Sequence, residues 1–506
     1  MVARPMDQSA HALRRIFGFE QFRPGQAEAV AAALAGRDAL VVMPTGSGKS
    51  ICYQLPALMR DELTLVVSPL VSLMQDQIGA LSGVAPGQAA VIHGQRRAEE
   101  NASAMERARS GEVRLLYVAP ERFAAGGFLE AMRAARVGLF VVDEAHCVSQ
   151  WGHDFRPDYF ALAEVAQILR ARATMALTAT ATPRVADDIV RRLALRDPVR
   201  VWTGFDRPNL TFAVARCGGA LDKGRRLARA LSDPAALPAI VYAGTRNASE
   251  QLAGSLTREL GLPGGVLAYH AGLDRGARAS VQERFMSGSA RVIVATNAFG
   301  MGIDKPDVRT VCHAAVPASL EAYYQEAGRA GRDGRPARCL LLSERRDKGL
   351  HVFFIQRSRL AEEEFERVAE RLRWAGADGR YDVHADELVG VADGDEALRA
   401  VIGHLARAGF VKPLPARSER VAGLVVGEWN PAVLSECLTA ARDAERLRWR
   451  QYRAIWGYVE QEQCRRRALL RHFGDSATPE ASGQCCDVCA QREPAPSGSA
   501  AVSHAA

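Results

Sequence analysis

The sequence predicts an α/β fold. Two tandem parallel-sheet domains come first, then a small helical or winged-helix-like module, then a helical module bearing cysteines. Three observations carry this reading. Short β-rich apolar runs alternate with helix-like stretches from about Ala39 to Arg345. The runs fall into two series, on either side of a Phe-Asp-Arg-Pro-Asn segment. Beyond Ser343 the alternation stops, and four cysteines cluster later in the chain. With 506 residues, 48% of them hydrophobic, and about 100–200 residues per domain, there is material for about three cores.

The first series is Ala39–Met43, Leu63–Ser68, Leu115–Val118, Leu139–Val142 and Thr174–Thr178. The second is Ala239–Tyr242, Val292–Ala295, Thr310–Ala314 and Cys339–Leu342. Continuous apolar runs separated by helices suit strands covered on both faces, the pattern of parallel sheets. The Arg-Pro step within Phe205–Asn209 disfavours helix and marks a hinge between the two domains. Leu360–Ala375 reads as an amphipathic helix, and Glu387–Phe410 as two helical pieces broken near Asp393–Asp395. Val411–Pro415 and Val421–Val426 read as a hairpin, so that helix, helix, hairpin gives the order of a winged helix. Asn430–Phe473 is helical and rich in arginine, and the Pro/Ser/Ala-rich stretch Glu493–Ala506 reads as disordered. The expected divisions are residues 1–207, 208–345, 346–430, 431–492 and 493–506.

Composition narrows the class. No apolar run approaches the ~20 residues a bilayer-spanning helix needs, and Met1–Ala10 lacks a basic stretch followed by an apolar one. A cytoplasmic protein with no membrane partner is the expectation. The formal charge of +7 (65 Lys and Arg against 58 Asp and Glu) is a modest excess, compatible with a polyanionic partner. Lysine occurs only at 49, 223, 305, 348 and 412. Of the ten cysteines, Cys464, Cys485, Cys486 and Cys489 cluster, which in a reducing compartment points to metal before disulfide.

Three motifs carry chemistry. The run Ala39–Met43 leads into Pro44-Thr45-Gly46-Ser47-Gly48-Lys49-Ser50 and then a helix-like stretch, the pattern of a phosphate-binding loop. Gly46 and Gly48 let backbone N–H groups turn onto phosphate oxygens, Lys49 reaches the β/γ-phosphates, and Ser50 can ligate Mg²⁺. Met43 stands where the strict pattern has its first glycine. Next, Asp143-Glu144-Ala145-His146 follows a buried run, an acidic pair placed to hold Mg²⁺ through Asp143 and to polarise water through Glu144. Last, Gln325-Glu326-Ala327-Gly328-Arg329-Ala330-Gly331-Arg332 offers two arginines to a γ-phosphate, with Arg332 as the arginine finger. The bland alternatives are a glycine turn, a helix cap and a solvated helix face. Their joint occurrence at domain-scale separation favours an ATPase.

Together these residues resemble superfamily 2 helicases, and within them the RecQ family, over roughly residues 10–345. The likeness includes Phe17-Gly18-Phe19, Phe22-Arg23-Pro24-Gly25-Gln26, Ser68–Gln77, Tyr117–Arg122, the Asp-Glu-Ala-His box, Leu177–Thr182, Phe205–Leu210, Tyr269–Leu273 and Ala295–Pro306. The resemblance implies two RecA-like domains and an ATP-dependent 3′–5′ DNA helicase of repair and recombination. It implies that Gln26 bonds the adenine edge with Phe19 and Arg23 flanking the ring, and that Asp304 lies at the nucleotide. It makes His146, Arg329 and Arg332 catalytic with Lys49, Asp143 and Glu144, and lets Thr178 and Thr180 couple nucleotide state to closure. Ser68, Gln75 and Thr296 would meet DNA phosphates. Trp151, His153, Phe155 and Arg156 resemble an aromatic-rich DNA-sensing loop, on which bases could stack at ~1–3 kcal/mol each. The cysteine cluster resembles the family's zinc module, although Cys485 and Cys486 are adjacent and His472 stands nearby as an alternative ligand. On this resemblance residues 346–430 would interrupt the usual order, and the family's C-terminal winged and small helical domains are expected to be missing. The implied cofactors are ATP, Mg²⁺ and Zn²⁺. The implied partners are single-stranded and duplex DNA, with single-strand-binding protein or other repair proteins. An RNA helicase, a translocase that does not unwind, and a non-catalytic nucleic-acid scaffold are the rivals.

Overall fold

A computed structural model describes residues 5–124, 127–149, 159, 161–262, 264–300, 305–374, 379–384, 387–388, 395–414, 420–479 and 485–492. The chain packs as two units. The first contains the residues up to Gly204 and Leu350–Gln451; the second contains Phe205–Gly300, the stretch up to Gly349 and the chain from Tyr452. The expected break at 207/208 thus falls at Gly204, because Phe205–Asn209 is hydrogen-bonded into the second unit.

In the first unit, β1 (Ala39–Val42), β2 (Leu63–Val67), β3 (Ala89–Ile92), β4 (Leu115–Val118), β5 (Val137–Val142), β6 (Ala173–Thr178) and β7 (Val199–Trp202) form one sheet in the order β3-β4-β2-β5-β6-β1-β7. Every pairing is parallel. The interior strands are mostly apolar and buried at each residue, the pattern of parallel strands covered on both faces. The edge strand β3 is blunted by Arg96, whose Nη1 donates to Val91 O at 2.7 Å.

In the second unit, β8 (Leu210–Arg216), β9 (Ala239–Tyr242), β10 (Val266–Tyr269), β11 (Val292–Ala295), β12 (Thr310–His313) and β13 (Ala337–Ser343) form a second parallel sheet, ordered β10-β11-β9-β12-β13-β8. Thr245 and Ser319 cap the helices Arg246–Leu260 and Leu320–Ala327, each hydroxyl accepting a backbone N–H of the first turn. The free edge of β8 is covered by the cysteine-bearing segment: Phe212 N–H donates to Cys485 O at 3.2 Å, and Val214 N–H to Asp487 Oδ2 at 3.1 Å.

Four of these strands, β3, β7, β8 and β10, are not among the apolar runs that mark the others. All lie at sheet edges, where partial exposure admits Ala, Thr, Arg and Tyr into the strand.

The inserted region has its own core. The helix Glu362–Arg373 leads to β14 (Arg380–His384), then to the helix Asp395–Arg407, β15 (Val411–Leu414) and β16 (Arg420–Val425). The strands make an antiparallel sheet, β14-β16-β15. Phe365, Val368, Leu372, Val401, Leu405 and Phe410 fill the space beneath it. That core extends past Asn430, because Val433, Leu434, Cys437 and Ala441 on the helix Pro431–Glu460 pack into it. Among the described residues no helix is long and apolar enough to cross a membrane.

Phe410 is fully buried and packs edge-on against Trp429, with centroids 5.2 Å apart. Phe410→Ala is expected to cost about 3–5 kcal/mol. Limited proteolysis should then cut first within residues 362–441, and cleavage starting in the parallel-sheet regions would contradict the separate core.

Candidate functional site

At the end of β1 the chain turns through Thr45–Ser50 into the helix Ile51–Met59. Gly46 and Gly48 take φ angles of 83° and 80°, left-handed values that suit glycine. At Gly48 a Cβ would lie 2.6 Å from Gln26 Nε2, so any side chain would displace that amide from the loop carbonyls. Ser47 Oγ donates to Pro44 O at 2.7 Å and tightens the turn. Lys49 Nζ donates to the carbonyls of Met43 and Pro44 at 3.1 and 3.3 Å, which brings the ammonium back to the end of β1.

Gln26 is buried and engaged at both ends. Its Oε1 accepts from Arg23 N–H at 2.9 Å, and its Nε2 donates to Ser47 O and Gly48 O at 3.2 and 2.9 Å. Arg23 Nη1 donates to Gly46 O at 2.8 Å. Two of the three residues expected at adenine are thus wired to the phosphate loop itself. Phe19 is half exposed and stacks on Phe17, with ring centroids 6.4 Å apart.

The acidic pair follows β5. Asp143 Oδ1 accepts Glu144 N–H at 3.0 Å, and Glu144 sits at φ 48°, an uncommon conformation for a residue with a Cβ. His146 is fully buried, its Nδ1 3.0 Å from Thr178 Oγ1 and 3.3 Å from Glu144 Oε2. Thr178 Oγ1 also accepts from Thr180 N–H at 3.2 Å. His146 therefore lies between the acidic box and the Thr178–Thr180 segment, hydrogen-bonded to Thr178 and within ion-pair distance of Glu144. Tyr159 donates to Asp143 O at 3.2 Å, and Ser149 to Asp188 Oδ2 at 2.7 Å. Neither tether has a sequence signal, because each joins residues 16 or more positions apart.

Burial pushes the Asp143 carboxyl up to about 7; the neighbouring Glu144 charge adds to the rise and Lys49 opposes it. A buried carboxyl held this high has unmet demand for positive charge, which fits a divalent cation beside it.

In the second unit, Arg329 is buried and pairs with the Tyr242 hydroxyl, which also donates to Phe299 O at 3.1 Å. Arg332, three residues on, is partly exposed. His313 Nε2 lies 2.8 Å from Glu326 Oε2 behind them. The two arginines expected to act together therefore differ: Arg329 is buried, whereas Arg332 is only partly so.

The residues expected to meet DNA also separate. Gln75 is exposed and lines a groove of about 620 Å³ with Ile78, Arg96 and Arg107. Thr296 is half-buried, its Oγ1 accepting from Ala298 N–H at 3.4 Å. Ser68 is buried, with 1% of its surface exposed, so its hydroxyl does not face a phosphate in this conformation. Trp151, His153, Phe155, Arg156 and Asp304 lie outside the described residues, as does the stretch 493–506.

The four clustered cysteines converge. The sulfurs of Cys464, Cys485, Cys486 and Cys489 all lie within 4.8 Å of one another. A tetrahedral zinc with Zn–S near 2.3 Å sets sulfurs about 3.8 Å apart, so the set fits. Adjacency of Cys485 and Cys486 does not separate their sulfurs, because the turn into the helix Asp487–Arg492 folds both toward Cys464. Burial raises the Cys485 thiol, and the neighbouring sulfurs raise it further; Cys489 is pushed up to about 12 for the same reasons. Cys464 is held below the usual thiol range: burial opposes ionisation there, but hydrogen bonds from Arg467 N–H and the other thiols outweigh it. Such crowding is relieved by a soft cation. His472, the alternative ligand, is instead committed to Glu321, 2.7 Å away.

Three family models match the chain in order. Residues 23–189 match the DEAD/DEAH box helicase model, 222–334 the helicase conserved C-terminal domain, and 432–490 the RecQ zinc-binding domain. The ATP-dependent DNA helicase RecQ of Bacillus subtilis is 42% identical over 350 residues, covering 68% of this chain. The chain spans only 58% of that relative's length. The probable ATP-dependent DNA helicase RecS of Bacillus subtilis is 33% identical over 487 residues, 96% of this chain and 92% of the relative. Among solved structures, Mycobacterium smegmatis helicase Lhr bound to ssDNA and AMP-PNP shares the fold, with a TM-score of 0.57 at 22% identity, covering 87% of this chain and 63% of that one.

Two outcomes follow from the site. An acid whose folded pKa exceeds its unfolded value destabilises the fold once it must ionise, so stability should fall as pH rises from about 4 to about 7. Asp143→Asn removes this slope: thermal melting of the nucleotide-free variant should pull ahead of wild type as pH passes from 5 to 8, and parallel curves would show that Asp143 is not strained. For the cysteine cluster, metal analysis should find one zinc per chain, lost in Cys486→Ser. Zinc retained in that variant would mean that Cys486 is not a ligand.

Proposed function

The chain belongs to the RecQ family of superfamily 2 helicases, and from that premise we propose that it is an ATP-driven DNA helicase, moving 3′ to 5′ on one strand and separating the duplex. One observation supports this reading above the rest: Lys49, Asp143, Glu144, His146 and Thr178 form a continuous site at the carboxyl ends of β1, β5 and β6.

The Thr45–Ser50 loop wraps the phosphates, and Lys49 leaves its carbonyl partners for the β/γ-phosphates. Gln26 exchanges loop carbonyls for the adenine edge, with Phe19 and Arg23 flanking the ring, so that the loop senses whether a base is bound. Ser50 and Asp143 are the groups to hold Mg²⁺, which when bound supplies positive charge to the phosphoryl oxygens. Glu144 orients the attacking water, and His146 passes the state of that carboxylate to Thr178 and Thr180. Arg332 supplies the guanidinium that meets transition-state charge during turnover, while Arg329 and Asp304 complete the nucleotide surroundings. Gln75, Thr296 and the segment with Trp151, His153, Phe155 and Arg156 engage single-stranded DNA. The zinc module and the arginine-rich helix Pro431–Glu460 contribute duplex affinity, much of it by counterion release. The region 362–425 serves as a winged module, its order of helix, strand, helix and hairpin standing as support. The setting is the cytoplasm, alongside single-strand-binding and repair proteins.

The test is strand separation on 3′-tailed and 5′-tailed duplexes with and without ATP, beside ATPase assays activated by single-stranded DNA or RNA. Unwinding of the 3′-tailed duplex, DNA-stimulated hydrolysis, loss of both in Lys49→Ala, and a fall of ~10³-fold or more in kcat for Arg332→Ala are expected. Stronger stimulation by RNA, or hydrolysis without strand separation, would replace the reading with an RNA helicase or a translocase. Full cellular activity of Lys49→Ala would point to a scaffold.

A further inference from the structure

The Phe205–Asn209 segment reads in sequence as a hinge, yet the structure binds it tightly to the arginine motif. Arg207 Nη1 donates to Gly328 O at 3.2 Å, and Nη2 donates to Ala330 O and Gly331 O at 2.9 and 3.0 Å. Asn209 Nδ2 donates to Gly331 O and Arg335 O at 2.8 and 2.9 Å. These carbonyls flank Arg329 and immediately precede Arg332. Gly331 has φ 54°, and a Cβ on it would lie 2.5 Å from Asn209 Nδ2 and 2.8 Å from Arg335 O, so the turn closes around these donors only with glycine.

We propose that Arg207 and Asn209 are positioning residues: they fix the backbone that presents Arg332, and the zinc module braces them from behind. A planar fork of five donors can span three carbonyls, which a point-like ammonium cannot. Arg207 is largely buried, and burial pulls its guanidinium's pKa down. A cation kept there at that cost is spent on geometry, not on solubility.

The brace starts at a cysteine ligand. The helix Arg465–His472 begins directly after Cys464. From it Arg466 Nη2 donates to Asp206 Oδ2 at 2.7 Å, beside Arg207. Phe473 stacks on Phe205 with centroids 4.4 Å apart and 16° between planes. Asp475 Oδ2 accepts Phe205 N–H at 2.7 Å. His472 holds Glu321 on the helix that runs into the arginine motif. The cysteine cluster and the arginine turn thus share one strap of five residues.

The inference rests on the assignment of Arg332 to the γ-phosphate. It is tested by steady-state ATPase at saturating single-stranded DNA for wild type, Arg207→Lys, Asn209→Ala, Arg332→Ala, Arg466→Gln and the double variant Arg207→Lys/Arg332→Ala. Arg207→Lys and Asn209→Ala should lower kcat about 10–100-fold, the scale of a small misplacement. Their KM for ATP, DNA affinity without nucleotide, melting temperature and zinc content should stay near wild type. The double variant should be no slower than Arg332→Ala alone, because both act through one guanidinium. Arg466→Gln should lower kcat severalfold with zinc retained, and an unchanged kcat there overturns the brace. Losses that multiply in the double variant, a wild-type kcat in both Arg207→Lys and Asn209→Ala, or a loss that tracks zinc or DNA affinity overturn the positioning role. If Arg207→Lys does not fold, Asn209→Ala and its double with Arg332→Ala decide. A wild-type kcat for Arg332→Ala sinks the arginine assignment itself and this inference with it; a slow Arg332→Ala beside fast strap variants sinks only the inference.

Discussion

Parallel pairing is the constraint on which the site depends. Strands that all run one way release their chains at the same sheet edge, so residues far apart in sequence emerge side by side. In the first sheet β1 delivers Lys49, β5 delivers Asp143 and Glu144, and β6 delivers Thr178. In the second, β9 ends at Tyr242 and its neighbour β12 at His313, which stack 5.2 Å apart behind Arg329 and Glu326. Neither group could assemble on an antiparallel sheet of the same strands, because alternate strands would end on opposite sides.

Two buried carboxylates of the first sheet show what separates a structural acid from a functional one. Asp38 is buried, which alone would raise its pKa. It accepts from Thr174 N–H and from Arg196 at both backbone and guanidinium, and these bonds hold it below the usual carboxylate range. Asp143 has one backbone donor, a like charge beside it and an ammonium at a distance. The fold has completed the first and left the second wanting a ligand. An unsatisfied acid in a cleft is a functional marker only in the presence of such a contrast.

Sequence reading reached the interior strands because their apolar runs are continuous, and reached Lys49, Asp143 and the four cysteines because each belongs to a recognisable motif or cluster. It missed edge strands such as β8, whose Leu-Thr-Phe-Ala-Val-Ala-Arg run mixes burial with exposure. It gave Gln26 to adenine but carried no sign that the same amide bonds loop carbonyls more than 20 positions on. It saw a hinge in Arg207-Pro208-Asn209, since the Arg-Pro step speaks for backbone shape alone; the carbonyls that Arg207 grips lie more than 120 positions later. Local chemistry is legible in one dimension, and long-range partners are not.

The cysteine segment has one more effect on the second sheet. Its backbone pairs with β8 through Phe212 and Cys486, and so occupies the outer side of a seven-residue strand. An uncovered strand of that length is a template for other chains. A molecule whose cysteine loop came away would carry a sticky seam, and its first failure would be clumping with its own kind before any loss of the nucleotide pocket.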